Sequence, residues 1–469
     1  MRPSLPARPG ADGGAAAPIA AAANFLSRLR RPSTVLVAVS GGSDSIGLLF
    51  SLHQALTLSG APHRLVACTV DHALRAASAA EAAAVSQRCR ALGVPHHVAR
   101  WSHADITSGL QAQARLARYR LLSEAAHLFG ADLVVTAHTA DDQAETIAMR
   151  AARHREDRAA GRGAPIGLAG MADAVLFDGR LWICRPFLGV GRQAVRDALT
   201  ARGEGWIDDP SNDDPRFERV RIRRGSASPA SPGPSSCDPD DGLACGDAAA
   251  GRIRSGALLS GLLARHVRIA EGVAAEIALA DLDVADDAWR RLLVLLAATL
   301  AGKPHGIGRD SAARLVSALG DPAATATTAG GCVFERRAGR LFVYRERRNL
   351  PVPTTVAPGQ SLLWDGRFTI DNTGLLPITI LAGGDRALAA RLAAQGLPAG
   401  VAGRIAQAAP AILGPDGGLV PDGAFSRHPR IAPYDTFLPR FDLMIGQSIA
   451  AKLGRAPYPE CPVDDIAMK

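Results

Sequence analysis

The segment that most constrains the fold is Val35–Ser45, in which an apolar run leads directly into glycines and short polar side chains. Its first five residues are apolar without interruption and rich in β-branched side chains, which predicts a strand buried on both faces. Gly41 and Gly42 follow, and the apolar spacing from Ile46 onward indicates a helix. The segment therefore predicts a strand, a glycine turn and a helix N-terminus in direct succession.

This succession is typical of an anion-binding site. The first turn of a helix offers unpaired amides and a positive dipole end, and glycines let a phosphate group approach the backbone closely. Ser40, Ser43 and Ser45 add hydroxyl donors. Asp44 would repel a phosphate group unless a divalent cation lay between them, so the pattern predicts a nucleotide bound with Mg²⁺. The alternative is an ordinary capped helix after a strand, which any α/β protein can contain.

Two common nucleotide-binding motifs do not fit this loop. No lysine follows the glycines, which excludes the G-x-x-x-x-G-K-[ST] phosphate loop, and the G-x-G-x-x-G fingerprint is missing as well. The letters S-G-G-S-D-S after a buried strand instead resemble the PP-loop of the N-type ATP pyrophosphatases. That resemblance implies cleavage of ATP between its α and β phosphates, adenylation of a substrate oxygen and release of pyrophosphate.

Two further predicted strands also end in polar clusters. Leu65–Val70 leads into Asp71–Arg75, and Asp132–Ala137 leads into His138–Glu145. Because predicted strands alternate with helices, the fold class is α/β with a doubly wound parallel sheet. Ligands of such sheets bind beyond the carboxyl ends of the strands. We therefore expect these two clusters and the Ser40–Ser45 loop to line one crevice.

Each cluster has a plainer interpretation that the sequence leaves open. Asp71 could belong to a simple turn, and Asp142 could cap a helix. However, Asp142 and Glu145 are three residues apart, so both can face one ligand, and two carboxylates suit a metal ion or a substrate ammonium group. Arg115 and Arg118 lie one turn apart on a predicted helix, where they are either exposed surface arginines or ligands of an anion.

Eight ordered motifs resemble those of the bacterial tRNA(Ile)-lysidine synthases, over roughly residues 33–224. Behind S-G-G-S-D-S come D-H-x-L-R at 71–75, A-R-x-x-R-Y at 114–119, H-x-x-D-D-Q-x-E-T at 138–146, G-L-A-G-M at 167–171, R-P-F-L at 185–188, W-I-D-D-P-S-N-D at 206–213 and R-V-R-I-R at 219–223. The chain departs from that family at Val220, where Asn is usual. Residues 153–164 are also longer and more charged than the family's short glycine turn.

The resemblance implies a carbon–nitrogen ligase that acts on the isoleucine tRNA with a CAU anticodon. The C2 oxygen of the wobble cytidine would attack the α-phosphate of ATP, and an amine of free L-lysine would then displace AMP to leave lysidine. Carried onto this sequence, the ATP-binding residues are Ser40, Gly41, Gly42, Ser43, Asp44, Ser45, Asp71 and His138. Asp44 would also hold Mg²⁺, and Asp44 and Arg115 would be catalytic.

The same resemblance assigns the remaining substrate contacts. Asp142 and Glu145 would hold the lysine ammonium groups. The residues implied in tRNA binding are Arg118, Arg219, Arg221 and Arg223. Two rival functions stay open at this point: a PP-loop tRNA thiolase, which would need cysteines for sulfur transfer, and a non-catalytic protein of the same fold that binds RNA or nucleotide.

Composition narrows the class of protein further. The net charge of +8 permits a polyanionic partner, and the seven cysteines include no C-x-x-C pair. That spacing argues against a thiolase cluster, a zinc ribbon or a disulfide framework and favours a reducing cytoplasm. No apolar run is long enough to cross a bilayer, and the N-terminal segment lacks the apolar centre of a signal peptide. The sequence does not fix the oligomeric state, so a homodimer remains an option.

A chain of 469 residues predicts several domains. We predict a disordered tail at 1–18, a PP-loop domain at 19–224, a Ser/Pro/Gly-rich linker at 225–250, a helical substrate-binding domain at 251–328, a small α+β C-terminal tRNA-binding domain at 329–445 and a tail at 446–469. Cys332–Tyr344 has the pattern of a hairpin that turns at Ala338-Gly339. Six arginines and two glutamates between Phe334 and Arg348 form either a solvated face or a contact for an RNA backbone.

Overall fold

A computed structural model describes residues 16–73, 78–102, 109–159, 170–208, 239–383, 385–421 and 423–464, without the side chains of 152–159, 239–248 and 309. The chain divides into two compact units. The first unit takes residues up to 157, from 165 to 250 and from 460 onward. The second unit consists mainly of residues 251–459.

The first unit is an α/β unit. Its helices are α1 (Ala17–Ser27), α2 (Ser43–Ser59), α3 (Ser78–Ala91), α4 (Leu110–Phe129), α5 (Ala140–Ala159) and α6 (Arg192–Thr200). Its strands are β1 (Thr34–Ala38), β2 (Arg64–Asp71), β3 (His96–Arg100), β4 (Leu133–Val135), β5 (Ala174–Phe177) and β6 (Leu181–Cys184). The strand and helix predicted from Val35–Ser45 are therefore confirmed as β1 and α2.

The strands of the first unit follow one another across this sheet in the order β5, β6, β4, β1, β2, β3. β1 pairs in parallel with β2 on one side and with β4 on the other, and Val35, Leu36 and Val37 are fully buried, as the apolar run predicts. After β3 the chain returns to the opposite side of β1. The carboxyl ends of β1 and β4 therefore flank the point where the direction of winding reverses, which is where ligands bind in such sheets.

The predicted doubly wound parallel sheet is confirmed, with one antiparallel strand, β5, beyond β6. β5 and β6 form a hairpin that pairs antiparallel, and β6 then joins β4 in parallel. The hairpin turns at Asp178-Gly179, both of which have positive φ. An Asp-Gly pair adopts that conformation with little strain, so the local turn chemistry gives the sheet its mixed character.

The second unit combines helices with three antiparallel sheets. Its helices are α7 (Pro239–His266, which begins in the first unit), α8 (Asp287–Leu300), α9 (Arg309–Gly320), α10 (Arg386–Ala394), α11 (Ala399–Gln407), α12 (Ala432–Asp435) and α13 (Leu443–Lys452). Its strands are β7 (Val267–Ala270), β8 (Ala274–Ala278), β9 (Ala326–Ala329), β10 (Cys332–Arg337), β11 (Arg340–Arg345), β12 (Thr354–Val356), β13 (Ser361–Trp364), β14 (Phe368–Asn372), β15 (Ile378–Ala382), β16 (Pro410–Leu413), β17 (Phe425–Pro429) and β18 (Phe437–Pro439).

The sheets of this unit follow the orders β7-β8-β11-β10-β9, β12-β15-β16 and β13-β14-β17. The predicted hairpin is confirmed: Arg337 pairs with Arg340, and Ala338 and Gly339 between them both have positive φ. Arginines of this hairpin form ion pairs with carboxylates of the same unit. Arg345 is buried against Asp365, and Arg340 pairs with Glu276.

The helical structure predicted for the domain at 251–328 is wrong for β7 and β8, which are strands. Residues 267–278 contain four alanines and four β-branched residues, so their local sequence does not distinguish a strand from a helix. The segment becomes extended because β8 pairs with β11, more than sixty residues later in the chain. The resulting sheet contains residues from both sides of the predicted domain boundary at 328. The domain limits given from the sequence stay predictions.

Two terminal segments and the linker are only partly described. Residues 1–15 and 209–238 lie outside the described ranges, and residues 239–250 of the predicted linker are the beginning of α7. The predicted tail contains most of α13 and a bridge between Leu29 and Val463. Where the structure describes helices, none combines the length and the apolar character needed to cross a membrane.

Candidate nucleotide and amino acid binding site

The loop between β1 and α2 has the geometry expected of a phosphate cradle. Gly41 has a φ of 91°, which a residue with a side chain rarely adopts, and Gly42 stands at the N-cap of α2 without a capping side chain. Within the helix the first amide to find a backbone acceptor is that of Ile46, which donates to Gly42 O. The amides of the first turn therefore lack helical acceptors and are available to an anion.

Hydroxyl groups and one apolar side chain fix the shape of this loop. Ser45 Oγ accepts from the amide of Ser40 at 3.1 Å and donates to Gly42 O at 3.1 Å. On the opposite side, the amide of Ile207 donates to Gly41 O at 3.0 Å, and a Cβ at Gly41 would lie 2.9 Å from Ile207 Cδ1. Glycine is required here for its φ and for this close packing.

The Ser40–Ser45 loop and the His138–Glu145 cluster meet at one guanidinium. Arg192 Nε donates to Asp44 Oδ2 at 3.0 Å, and Arg192 Nη2 donates to Asp142 Oδ1 at 3.1 Å. Arg192 Nη1 lies 3.9 Å from Glu145 Oε1. The structure thus brings together Asp44, Asp142 and Glu145, which the sequence assigned to one crevice but to different ligands.

Asp142 serves the helix and the site at the same time. Its Oδ2 accepts from the amide of Thr139 at 2.8 Å, an arrangement that caps the start of α5, while its Oδ1 faces Arg192. The neighbouring Asp141 accepts from the amide of Arg192 at 2.7 Å. The interpretation of this pair as a solvated N-cap is therefore only partly correct: Asp142 caps α5 from its third residue, whereas Asp141 binds the first amide of α6. Neither contact excludes a ligand.

The electrostatics of this cluster depend on Arg192. Burial raises the pKa of Asp44 above its ordinary value, and attraction to Arg192 opposes that rise. Burial acts to lower the pKa of Arg192, but the charges of Asp44 and Asp142 outweigh it, so the pKa of Arg192 is raised. A cation between these carboxylates is thus favoured, and a guanidinium fills that place in this structure.

Helix α6 reaches the loop because α2 has a glycine where the two helices touch. A Cβ on Gly47 would lie 2.2 Å from Val195 Cγ1, so no larger residue fits against α6 as it stands. Arg192 and Arg196, one turn apart, are thereby held over Asp44 and Ser43. Arg196 also lies 5.6 Å from the ring centroid of Trp206.

A second group of arginines surrounds His138 at the end of β4. Burial and the positive charges of Arg185, Arg115 and Arg118 together lower the pKa of His138 to about 3, against the opposing charge of Asp142. Arg185 is buried and donates to Ala172 O at 2.6 Å. This region combines a neutral imidazole with several guanidinium groups, which suits an anionic or electron-rich ligand.

Asp71 is buried at the end of β2, the strand next to β1. Burial acts to raise the pKa of Asp71, but hydrogen bonds from Ala73 and Ser78 outweigh it and hold the pKa below its usual value. Its Oδ1 accepts from the amide of Ala73 at 2.8 Å, as expected of a turn residue. Asp71 is therefore ionised at the same edge of the sheet as the loop.

Several predicted positions are outside the described residues. These are Leu74, Arg75, the segment 167–169, Asp209–Asp213 and the arginines Arg219, Arg221 and Arg223, together with Val220. Among the motif residues that are described, Gln143 has a structural contact: it exchanges hydrogen bonds with the backbone of Met171 at 2.6 and 3.2 Å. It thereby ties α5 to the end of the G-L-A-G-M motif.

Sequence reasoning missed Arg192, Arg196 and Gly47. Arg192 follows Gly191 at the first position of a short helix and four residues after R-P-F-L, so its place next to a quoted motif was the available signal. Nothing in the local pattern pairs it with Asp44, which is 148 residues earlier. Gly47 carries no signal of its own within the predicted helix.

Comparison with known proteins finds relatives that match nearly the whole chain. A family model described as a PP-loop domain matches residues 18–227. A tRNA(Ile)-lysidine synthase of Rhizobium meliloti is 43% identical over 456 residues, which are 96% of this chain and 98% of that protein. Those of Mesorhizobium japonicum and Brucella anthropi are 39% and 37% identical, over 91% and 90% of this chain and 94% of each relative. The chain belongs to the tRNA(Ile)-lysidine synthase family.

Proposed function

We propose that this protein is an ATP-dependent ligase that joins L-lysine to the wobble cytidine of the CAU-anticodon isoleucine tRNA. The observation that carries the proposal is the convergence of Asp44, Asp142 and Glu145 on one cation beside an open phosphate cradle. A nucleotide and an amine substrate would meet at that point. The relatives favour this function over a thiolase or a non-catalytic binding protein, because they match nearly the full chain.

The reaction has two balanced steps. The C2 oxygen of cytidine forms a bond to the α-phosphorus of ATP while the bond to the pyrophosphate oxygen breaks. The lysine amine then attacks C2, loses a proton and releases AMP. Adenylation converts a poor leaving oxygen into a good one, so the protein mainly positions the reactants and compensates charge.

The residues of the loop suit the nucleotide in this scheme. The first-turn amides of α2 and the hydroxyls of Ser40 and Ser43 would bind the phosphates that become pyrophosphate. A carboxylate beside phosphates is also the usual protein contribution to a Mg²⁺ site, and Asp44 is so placed at the start of α2. When bound, Mg²⁺ would neutralise phosphate charge.

The remaining described residues suit the other two substrates. Asp142 and Glu145 would hold lysine ammonium groups. The guanidinium of Arg192 beside both carboxylates indicates that this place suits a cationic group. Arg115, exposed on α4 near His138, would stabilise negative charge close to the target base. Arg118 and the segment with Arg219, Arg221 and Arg223 would contact tRNA, in which the target base is splayed out of its loop.

Incorporation of labelled L-lysine into an unmodified CAU isoleucine tRNA transcript, with ATP and Mg²⁺, tests the proposal. A CAU methionine tRNA serves as the control substrate. We expect ATP-dependent labelling of the isoleucine tRNA alone, and a loss of at least about a hundredfold in Asp44→Asn, because removal of one charge-stabilising group at a reacting phosphate costs about that much.

The matched control is Asp197→Asn, an exposed carboxylate on α6 that pairs with Gln193. It should label tRNA as the wild type does. Pyrophosphate release with some other substrate, and no lysine incorporation, would contradict the lysine assignment and leave the nucleotide assignment standing. The cytoplasmic location and a homodimer stay predictions of the sequence.

A further inference from the structure

Arg192 occupies the place that the proposed function assigns to other cations. Its three guanidinium nitrogens each face a different carboxylate, from Asp44 on α2 and from Asp142 and Glu145 on α5. The Arg192 side chain is only 19% exposed, so it is held inside the cluster. The closest contacts, 3.0 and 3.1 Å, are hydrogen bonds with the geometry of a charged pair.

Arg192 and the substrate cations would compete for the same carboxylates. In the proposed function Asp142 and Glu145 bind lysine ammonium groups, and Asp44 faces Mg²⁺. A guanidinium at 3.0–3.1 Å from Asp44 and Asp142 fills the space between them. Binding of lysine therefore requires the Arg192 side chain to leave at least Asp142.

The backbone of Arg192 can stay in place while its side chain moves. Its amide donates to Asp141 Oδ2 at 2.7 Å, and the next turn of α6 is anchored by Val195 against Gly47. A displaced guanidinium needs another anion nearby, because an uncompensated charge in a partly buried site is costly. Arg192 already contacts Asp44, which lies in the first turn of α2, the turn that forms the phosphate cradle. A phosphate group bound there would therefore be within reach of the Arg192 guanidinium.

We propose that Arg192 is a positioning residue that makes lysine binding depend on bound nucleotide. Without nucleotide its guanidinium occupies the carboxylates that lysine needs. When ATP is bound, the guanidinium transfers to the phosphates, with which it forms forked hydrogen bonds, and releases Asp142 and Glu145. The inference rests on the proposed function, since it takes ATP and lysine as the two ligands.

This exchange predicts positive coupling between the two ligands. Lysine must displace Arg192 in the free enzyme but not in the nucleotide complex, so the affinity for lysine should rise about tenfold when nucleotide is bound. By linkage, lysine should raise the affinity for nucleotide by the same factor. Replacement of Arg192 by a neutral residue should remove the coupling, because the carboxylates are then open in both states.

The experiment is calorimetric titration of the full chain with L-lysine, in Mg²⁺ alone and in Mg²⁺ with α,β-methylene-ATP, which is not cleaved at the bond in question. For the wild type we expect a tenfold tighter dissociation constant with the nucleotide analogue. For Arg192→Gln we expect tighter lysine binding than the wild type in Mg²⁺ alone, and a ratio between the two conditions close to one. Arg192→Lys, which keeps a cation, should retain part of the coupling.

The matched control is Arg202→Gln, at an exposed position just beyond α6 where the side chain contacts Gln54 and Phe50. Its coupling ratio should equal that of the wild type. An unchanged or weaker lysine affinity of Arg192→Gln in Mg²⁺ alone would overturn the inference while lysine incorporation by the wild type stands. Failure of the wild type to bind lysine in either condition would contradict the proposed function and the inference with it.

Discussion

At the scale of single residues, the charge state of His138 is set by its surroundings. The imidazole lies at the end of β4, where Thr136 Oγ1 shares a hydrogen bond with its Nδ1 at 3.0 Å. Burial, together with Arg185, Arg115 and Arg118, lowers the pKa of His138 to about 3. His138 is therefore neutral at physiological pH and offers a ring nitrogen to a ligand without adding positive charge.

The lowered pKa of His138 predicts a loss of stability in acid. Between pH 6.5 and about 3 the unfolded chain binds a proton on this residue and the folded chain does not, so the free energy of unfolding falls as the pH falls through that window. From pH 7.5 to pH 5.0 we expect a loss of about 2 kcal/mol from this group. Urea unfolding at the two pH values measures it, by comparison of the wild type with His138→Gln.

The test compares how the free energy of unfolding changes with pH in the wild type and in His138→Gln. Other histidines, including the partly buried His96, contribute equally to both and cancel. His127→Gln, at an exposed position near the end of α4, is the control and should keep the wild-type pH dependence. If His138→Gln lost as much stability on acidification as the wild type, a neutral His138 would be ruled out.

At the scale of elements, the site depends on how closely α6 packs on α2. Val195 sits against Gly47, and this contact fixes the height of Arg192 and Arg196 above the phosphate cradle. The opposite wall of the loop is the Trp206–Asp208 segment, where Ile207 packs on Gly41. Two glycines in α2 and its loop thus set the width of the site on both sides.

A methyl group at Gly47 should push α6 away from the loop. Since a Cβ there would lie 2.2 Å from Val195 Cγ1, we expect Gly47→Ala to lower the free energy of unfolding by about 1–3 kcal/mol and to weaken lysine incorporation. The double variant Gly47→Ala/Val195→Ala relieves the clash and should recover most of both losses relative to Val195→Ala alone. Thermal unfolding and the labelling assay, analysed as a double-mutant cycle, measure the coupling.

Gly403→Ala is the matched control for this cycle. Gly403 is a helical glycine in α11 with no atom within 4 Å of an added Cβ. Its replacement should be neutral or stabilising, by up to about 1 kcal/mol, because alanine favours a helix over glycine. Additive effects of Gly47→Ala and Val195→Ala would show that the contact between α2 and α6 does not govern the site.

At the scale of the whole molecule, the two ends of the described chain meet in the first unit. Leu29 forms a β-bridge with Val463, and the side chains of Arg28 and Arg30 bond to Asp464. Cys461 and Val463 are buried there, at 4% and 3% exposure. The chain thus returns to the unit that carries the site after completing the second unit.

Removal of residues 460–469 should destabilise the first unit. Burial of a valine side chain contributes about 1.5–3 kcal/mol, and Cys461 adds to it, so we expect the free energy of unfolding to fall by at least about 2 kcal/mol. Arg30→Ala removes only half-exposed ion pairs and should cost less than about 1 kcal/mol. Urea unfolding monitored by hydrogen exchange in β1 compares the two, and equal costs would show that the ion pairs, rather than the buried side chains, hold this end.

The sequence alone determined the features that depend on neighbours along the chain. The strand, glycine loop and helix of Val35–Ser45, the hairpin at Ala338-Gly339 and the capping position of Asp142 follow from local periodicity and turn chemistry. The polar clusters could also be assigned to one edge, since parallel strands align their carboxyl ends. The fold class and the acidic and loop residues of the candidate site were therefore predictable.

Only the tertiary structure decided how charges and helices meet across large sequence distances. Arg192 contacts Asp44 from 148 residues away, and Gly47 matters because Val195 happens to pack against it. β8 pairs with a later strand and β7 pairs with β8, and this pairing decides their conformation because their own mixture of alanine and β-branched residues does not. Pairing and packing energies of this kind arise between segments that only folding brings together, so no local pattern contains them.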